Sequence, residues 1–301
     1  MDDFLLISNA KAGTAAEEAV EAAVGVLRGQ RTIRVVATES LEQLSDVLAE
    51  RAAAKGPGTV VVVGGDGSLH AVAQVLHDRG ETRDVVLGLV PLGTGNDFAR
   101  TVGVVPDPEA AAQQLLAAEE RDVDLIVDDA GGVVVNAVHL GLGAEAGVAA
   151  KPWKARLGPL GYVVGAVISG FTKPGKDVAV RVDGKPVRGR GRTLQVALGN
   201  GRYVGGGTAL VPQADPSDGL IDVEVSFADP IMRRLSYAIS LRFGVQDKRD
   251  DVSQARGSEV HVRGEEFRCN ADGEIGDPVT ERTWHVEPAA LRMLLPPPPA
   301  L

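Results

Sequence analysis

The chain has 301 residues, a length that suggests two domains, and 44% of them are hydrophobic, enough for an ordinary core. A formal net charge of -10 argues against a general nucleic-acid binder, which needs a basic field. The single cysteine, Cys269, excludes an intramolecular disulfide and fits a reducing compartment.

Met1-Asp2-Asp3-Phe4 carries acids where a signal peptide has cations. The longest apolar run, Tyr162 to Phe171, is interrupted by Gly165, Ser169 and Gly170 and is too short to span a bilayer. A cytoplasmic location is expected. Residues 4–8 read as a buried strand, followed by the loop Asn9-Ala10-Lys11-Ala12-Gly13. Thr14 and Glu17 form a capping box that opens a helix to about Arg28. Thr32 to Ala37 is a second strand, and Ser40 with Gln43 caps a helix to about Ala54. Val60 to Val63 is an all-β-branched strand ending in Gly64-Gly65-Asp66-Gly67-Ser68, and a helical pattern runs from Leu69 to Leu76. Val85 to Val90 is a further strand, ending in Pro91-Leu92-Gly93-Thr94-Gly95-Asn96-Asp97. A helix from about Pro108 to Glu119 precedes the strand Val123 to Val127. This alternation predicts an α/β domain with a parallel sheet over residues 1–128.

Beyond Asp128 the pattern turns to strands: Val133 to Leu140, Val178 to Val182, Thr193 to Leu198, Leu220 to Phe227, Val260 to Arg263 and Phe267 to Cys269. Asp183-Gly184 signals a type I′ hairpin. Helices are expected over about 158–171 and over 230–243, the second opened by Asp229-Pro230 and stopped by Gly244. The second domain, residues 129–288, is therefore mainly antiparallel β. The proline-rich end, Pro296 to Pro299, reads as polyproline.

Three loops follow strands in the first half: Asn9 to Gly13, Gly64 to Ser68 and Leu92 to Asp97. In an open parallel sheet ligands bind beyond the carboxyl ends of the strands, so all three gather on one edge. Glycine lets backbone N–H groups approach an anion, and a helix N-terminus adds its positive dipole end. One such loop is ordinary; three together point to a nucleotide. No P-loop and no complete dinucleotide fingerprint is present.

Asp66 and Asp97 sit within these loops, and an acid beside phosphates makes sense chiefly through a divalent cation. Asp215, Asp218 and Asp222 crowd one short segment, which is either a surface turn or a hard-cation site. Asp272-Gly273-Glu274 is either a hairpin turn or the carrier of a general base. Lys151, Lys154 and Arg156 flank Trp153 ahead of an apolar helical stretch, whereas Arg188, Arg190 and Arg192 read as solvated charge. The five histidines show no metal-ligand spacing, and Cys269 reads as a core residue.

Over essentially its full length the chain resembles the diacylglycerol kinase catalytic family, in particular the soluble bacterial lipid kinases. Gly64 to Ser68 is similar to the family's nucleotide loop, and Pro91 to Arg100 to its second signature, without a gap. Asn136 to Glu145, Asp218 to Asp222 and Asp272 to Glu274 resemble later motifs, in the same order. The resemblance implies an N-terminal nucleotide domain and a C-terminal β-sandwich-like domain, with the active site between them. It also implies that residues 289–301 return to the first domain. Asn9, Ala10, Lys11, Ala12, Gly13, Thr38, Gly64, Gly65, Asp66, Gly67, Ser68, Leu69, His70, Thr94, Gly95, Asn96 and Asp97 would form the ATP site. Asp215, Asp218 and Leu220 would hold magnesium, with Asp66, Asp97 and Asp124 in a water-mediated network. Glu274 would accept the proton, with Asp272 beside it. Three positions depart from the family pattern: Ala10 for proline, Ser68 for threonine and Ala71 for glutamate.

The expected function is an ATP- and magnesium-dependent lipid kinase acting on diacylglycerol. Other lipid acceptors (a sphingoid base, phosphatidylglycerol or a glycolipid) and, as a rival, NAD are the alternatives. Residues 151–171 are expected to dock transiently on a membrane surface. No nucleic-acid partner is expected, and a homodimer is compatible with the reading.

Overall fold

The structure, a computed structural model, describes residues 4–10, 14–141, 174–228 and 230–297. The expectations for Lys11, Ala12 and Gly13, for the segment 151–171 and for the last two prolines lie outside these residues. In the first half, strands β1 (Phe4–Asn9), β2 (Ile33–Thr38), β3 (Thr59–Gly64) and β4 (Val86–Pro91) alternate with helices. These are α1 (Thr14–Arg28), α2 (Leu41–Ala53) and α3 (Asp66–Asp78). The strands are parallel in the order β2-β1-β3-β4. Every residue of β3 is buried, as a central strand covered on both faces requires. The connection after β1 runs toward β2 and the one after β3 runs the other way, toward β4, so a crevice opens between the carboxyl ends of β1 and β3.

Local chemistry sets the helix ends as the sequence suggested. The Ser40 hydroxyl accepts from the Gln43 N–H at 3.2 Å, and the Gln43 side chain accepts from the Glu39 N–H at 2.7 Å. One helix starts earlier than expected. Helix α3 begins at Asp66 rather than Leu69, so Asp66, Gly67 and Ser68 are its first turn and the loop shrinks to Gly64-Gly65. A short helix, α4 (Asp97–Val102), was not expected. Its six residues are too few for a periodic signal, and Asn96 enters it from the left-handed region at φ 49°. Helix α5 (Pro108–Leu116) stops early, and β5 (Glu119–Asp128) begins four residues ahead of the expected Val123.

The second half holds β6 (Val133–Val134), β7 (Ala137–Gly141), β8 (Val178–Val182), β9 (Lys185–Pro186) and β10 (Gln195–Gly199). A small ribbon, β11 (Tyr203–Val204) with β12 (Thr208–Ala209), precedes β13 (Ile221–Ser226) and helix α6 (Ile231–Phe243). Strands β14 (Val252–Gly257), β15 (Glu259–Phe267), β16 (Cys269–Ala271), β17 (Glu274–Ile275) and β18 (Val279–Leu295) complete the chain. The hairpin at Asp183-Gly184 forms with both residues at positive φ, 48° and 74°.

Strand β18 is the main departure from expectation. Only the return of residues 289–301 to the first domain was expected here, as the resemblance implies. The strand passes Pro288 through a bulge: its pairing with β5 shifts between Glu287 and Leu291, and Ala289 sits at φ 52°. It pairs antiparallel with β5 and β15 and parallel with β4, which joins both halves in one sheet. On β5, Leu125 and Val127 face the first core while Ile126 faces the second, with Trp284 and Phe267. A second sheet, β14-β13-β10-β7-β16-β17, closes the sandwich over that second core.

The outer face of the second sheet carries Glu224, 2% exposed. Its Oε1 accepts from the Tyr237 hydroxyl of α6 at 3.4 Å, while Oε2 has no partner. Burial, with the nearby Asp247 charge, pushes its carboxyl from 4.5 up to about 7. The folded state thus holds a proton that the unfolded state has lost, so stability falls as pH rises from about 4.5 to about 7. A displacement of that size corresponds to roughly 3 kcal/mol. Glu224→Gln should therefore be more stable than wild type by up to about 3 kcal/mol at pH 8, and near-neutral at pH 4. Urea unfolding at the two pH values checks this.

Candidate active site

A cavity of about 470 Å³ opens at the crevice between β1 and β3. It is lined by Ile7, Ser8 and Asn9 of β1, by Thr38 to Leu41, and by Gly65, Gly67, Ser68 and Ala71 at the start of α3. Glu274, from the second half, lines the same cavity. Of the expected nucleotide residues, Asn9, Thr38, Gly65, Gly67 and Ser68 are thus brought together. Leu69 is not: its side chain is 1% exposed and belongs to the first core. Ala10 and Thr94 are exposed and do not line the cavity.

The two glycine turns touch. A Cβ on Gly65 would lie 2.9 Å from the Gly93 Cα, and one on Gly93 would lie 2.7 Å from the Gly65 Cα. Backbone meets backbone, so neither can yield cheaply. Gly65→Ala should cost about 1–3 kcal/mol, read as a fall in melting temperature. Gly67, with nothing within 4 Å, is the control: alanine there should be neutral or stabilising by up to about 1 kcal/mol.

The acids expected around magnesium form two separate groups, each holding backbone N–H donors. The Asp66 carboxylate accepts from the Asp97 and Phe98 N–H groups, both at 3.1 Å, and so caps α4. The Asp97 carboxylate accepts from the Gly206 and Gly207 N–H groups at 2.7–3.1 Å. Burial, outweighing those two bonds and with Asp66 nearby, raises the Asp97 pKa. Asn96 and Gly95 complete the turn between the two acids; the Asn96 Oδ1 is buried without a partner. Asp124, 2% exposed, accepts instead from Gly219 and Ala289, each at 2.7 Å, and fixes the 215–222 turn and the β18 bulge. Gly205-Gly206-Gly207 received no role from sequence; all three have positive φ, which lets the turn aim two N–H groups at one carboxylate. That run of three glycines was the available signal.

Asp272 does more than the sequence could indicate. It stands in a hairpin between β16 and β17, at φ 49°, with Gly273 at φ 96°, so the turn reading of Asp-Gly is correct in geometry. Its carboxylate accepts from the N–H groups of Val135 at 2.7 Å, Asn136 at 3.0 Å and Ala137 at 2.9 Å. His70 Nδ1 of α3 lies 3.1 Å away on the same carboxylate. These diverted N–H groups explain why the strand expected over Val133 to Leu140 is split into β6 and β7. Burial disfavours the charged form of His70, but the Asp272 bond and the charges of Asp272 and Glu274 outweigh it and raise its pKa above 6.5. The Asp272 side chain is 1% exposed, whereas Glu274, two residues on, is exposed at the cavity. The hairpin therefore buries one carboxylate as a tie between halves and presents the other to the crevice.

Among the described residues no three His, Cys, Asp or Glu side chains converge to hold a metal ion. The 215–222 turn nevertheless carries surplus oxygen. Asp215 accepts from the Ser217 N–H and hydroxyl, Asp218 pairs with Arg256, and Asp222 pairs with Arg256 at 2.8 Å. The buried Oδ2 of Asp222 has no partner. Burial raises the Asp222 pKa against the pull of Arg256, and the charges of Asp218 and Asp215 add to the rise.

A parallel sheet with glycine turns at its switch point, closed by a carboxylate from a β-sandwich, defines a phosphoryl-transfer architecture. Residues 3–127 match the family model of the diacylglycerol kinase catalytic domain. Residues 136–295 match that of the YegS C-terminal NAD kinase beta sandwich-like domain. A protein of Stenotrophomonas maltophilia named "Probable lipid kinase YegS-like" is 34% identical over 97% of this chain and 95% of its own. One of the same name from Klebsiella pneumoniae is 32% identical over 79% and 78%. A solved structure of a diacylglycerol kinase from Bacillus anthracis str. Sterne superposes with a TM-score of 0.74 at 19% identity, covering 98% and 97% of the two chains. A second from that organism gives 0.80 at 22%, covering 98% and 96%; these two likenesses concern the fold alone. The chain belongs to the diacylglycerol kinase catalytic family, with the YegS type of C-terminal domain, and it is a kinase.

Proposed function

We propose that this kinase transfers the γ-phosphoryl group of ATP to the hydroxyl of a lipid, with diacylglycerol as the leading acceptor and phosphatidic acid as product. The observation that carries the reading is that Glu274 lines the same cavity as the glycine turn and the end of β1. In this reading the first N–H groups of α3 hold phosphate oxygens, helped by the helix dipole. Glycine at 64 and 65 keeps Cβ atoms out of their way. Glu274 takes the proton from the lipid hydroxyl as it attacks in line. Asp272, saturated with donors, positions the hairpin and α3 and takes no proton itself.

Magnesium suits the 215–222 turn in donor chemistry, since the turn offers hard oxygen ligands and an orphaned carboxylate oxygen. Asp215, Asp218 and the Leu220 carbonyl would hold it, and it would supply neutralisation of negative charge. The names of the relatives favour a lipid acceptor: lipid kinase for the curated proteins, diacylglycerol kinase for the solved structure. The C-terminal family model, described as NAD kinase-like, supplies the competing acceptor. The enzyme should be given labelled ATP with a total lipid extract in one arm and NAD in another. Label in the lipid fraction supports the reading; label in NAD alone overturns it.

A further inference from the structure

Helix α6 is inside out. Its face toward the protein carries Arg234, Tyr237 and Ser240, all buried. Its outward face carries Ile231, Met232, Leu235, Ile239 and Phe243, which are 42–73% exposed. Ile231, Leu235, Ile239 and Phe243 recur every four residues, so they form one stripe along the helix. Val245 continues it at 39% exposure. Among the described residues, eight large hydrophobic side chains are exposed, and six of them fall within 231–245. Water does not favour such a concentration, which marks a surface meant for an apolar partner.

We propose that this stripe is a membrane-docking surface that lies in the headgroup region of an anionic bilayer. The choice of a lipid surface rests on the lipid-kinase reading above and on two further observations. Besides the inward-facing Arg234, the helix carries Arg233, which pairs with Asp250 and Asp251, and Arg242, and it carries no acid, in a chain whose net charge is -10. Arg242 and Lys248 are exposed at its C-terminal end and unpaired with carboxylates among the described residues. A cationic rim around an apolar stripe complements anionic lipid. A second copy would instead bring the same cations against them. One face of a helix about 20 Å long and about 10 Å wide offers roughly 200 Å², far below the ~800 Å² per partner of a stable protein interface.

The position suits the function. Gln246, just past α6, donates to the Ala209 and Leu210 carbonyls at 2.6 and 3.1 Å. A Cβ on Gly244 would lie 3.2 Å from the Ala209 Cβ. The C-terminal end of the stripe therefore rests on the β11–β12 ribbon, whose Gly206 and Gly207 hold Asp97.

The test is sedimentation of the full-length protein with vesicles of phosphatidylcholine and phosphatidylglycerol in a two-to-one ratio. Wild type should pellet, more weakly as salt rises, and Ile239→Glu with Phe243→Glu should lower partitioning at least tenfold. Arg242→Glu with Lys248→Glu should lower it on these vesicles and not on phosphatidylcholine alone. Val35→Glu, at an exposed apolar position on β2, should change nothing. Unfolding curves and activity on a short-chain, detergent-dispersed diacylglycerol should match wild type for the α6 variants. Unchanged pelleting of the Ile239/Phe243 variant overturns the proposal, as does a lipid-free dimer that the same variant splits while vesicle binding persists. If wild type phosphorylates no lipid yet pellets through this stripe, the lipid-acceptor reading falls and the docking surface stands.

Discussion

Glu274→Gln is expected to lower kcat by roughly 10²–10⁴-fold, the usual contribution of a positioned general base. Glutamine keeps the size and exposure of the side chain and removes only its ability to take a proton. Because Glu274 is exposed at the cavity rim and carries none of the bonds that tie the halves, stability should stay within about 0.5 kcal/mol of wild type. ATP affinity should change little, since the expected phosphate contacts come from the start of α3. Turnover at saturating lipid, together with the ATP dissociation constant, separates these effects. A variant with full turnover removes Glu274 from the mechanism.

Asp272→Ala is expected to act on the fold instead. It leaves the N–H groups of Val135, Asn136 and Ala137 without their acceptor and frees His70 from the hairpin. An abandoned buried donor costs about 1–3 kcal/mol, so three cost roughly 3–9 kcal/mol if none finds water. Against a typical stability of about 5–15 kcal/mol, that is a large fraction. Urea unfolding measures it directly; a loss below about 1 kcal/mol would show that the Asp272 carboxylate does not hold these three N–H groups in the folded protein. The two carboxylates of one Asp-Gly-Glu hairpin should thus separate cleanly, one governing rate and the other stability.

Much of this was legible in the sequence. The Val60–Val63 run fixed a buried strand, the capping residues fixed α2, and the Asp183-Gly184 pair fixed a hairpin, because each is set by local chemistry. The α/β half and the mainly antiparallel second half are built from those elements. What was hidden is set by distant contacts. Strand β18 hid behind Pro288, because only the Ala289–Asp124 bond shows why the chain bulges there and continues. The split of β6 from β7 depends on a carboxylate about 135 residues away in sequence. Gly205–Gly207 was visible, but its target, Asp97, was not. At the site, Asn9, Gly65, Gly67 and Ser68 were legible as turns after strands, whereas Thr38 was reached only through the resemblance and Thr94, in a turn of the same kind, does not line the cavity. The burial of the Leu69 side chain in the first core was not legible, because a motif gives positions and not the direction of a side chain.

The central claim is that this crevice passes phosphate from ATP to a lipid hydroxyl with Glu274 as base. Transfer of label from γ-labelled ATP into an organic-soluble product, measured side by side for wild type and Glu274→Gln with diacylglycerol in mixed micelles, tests it most directly. Wild type should place the label in phosphatidic acid and the variant should lose nearly all of it. Label that stays in the aqueous phase with wild type, or equal organic-phase label from both proteins, would contradict the account.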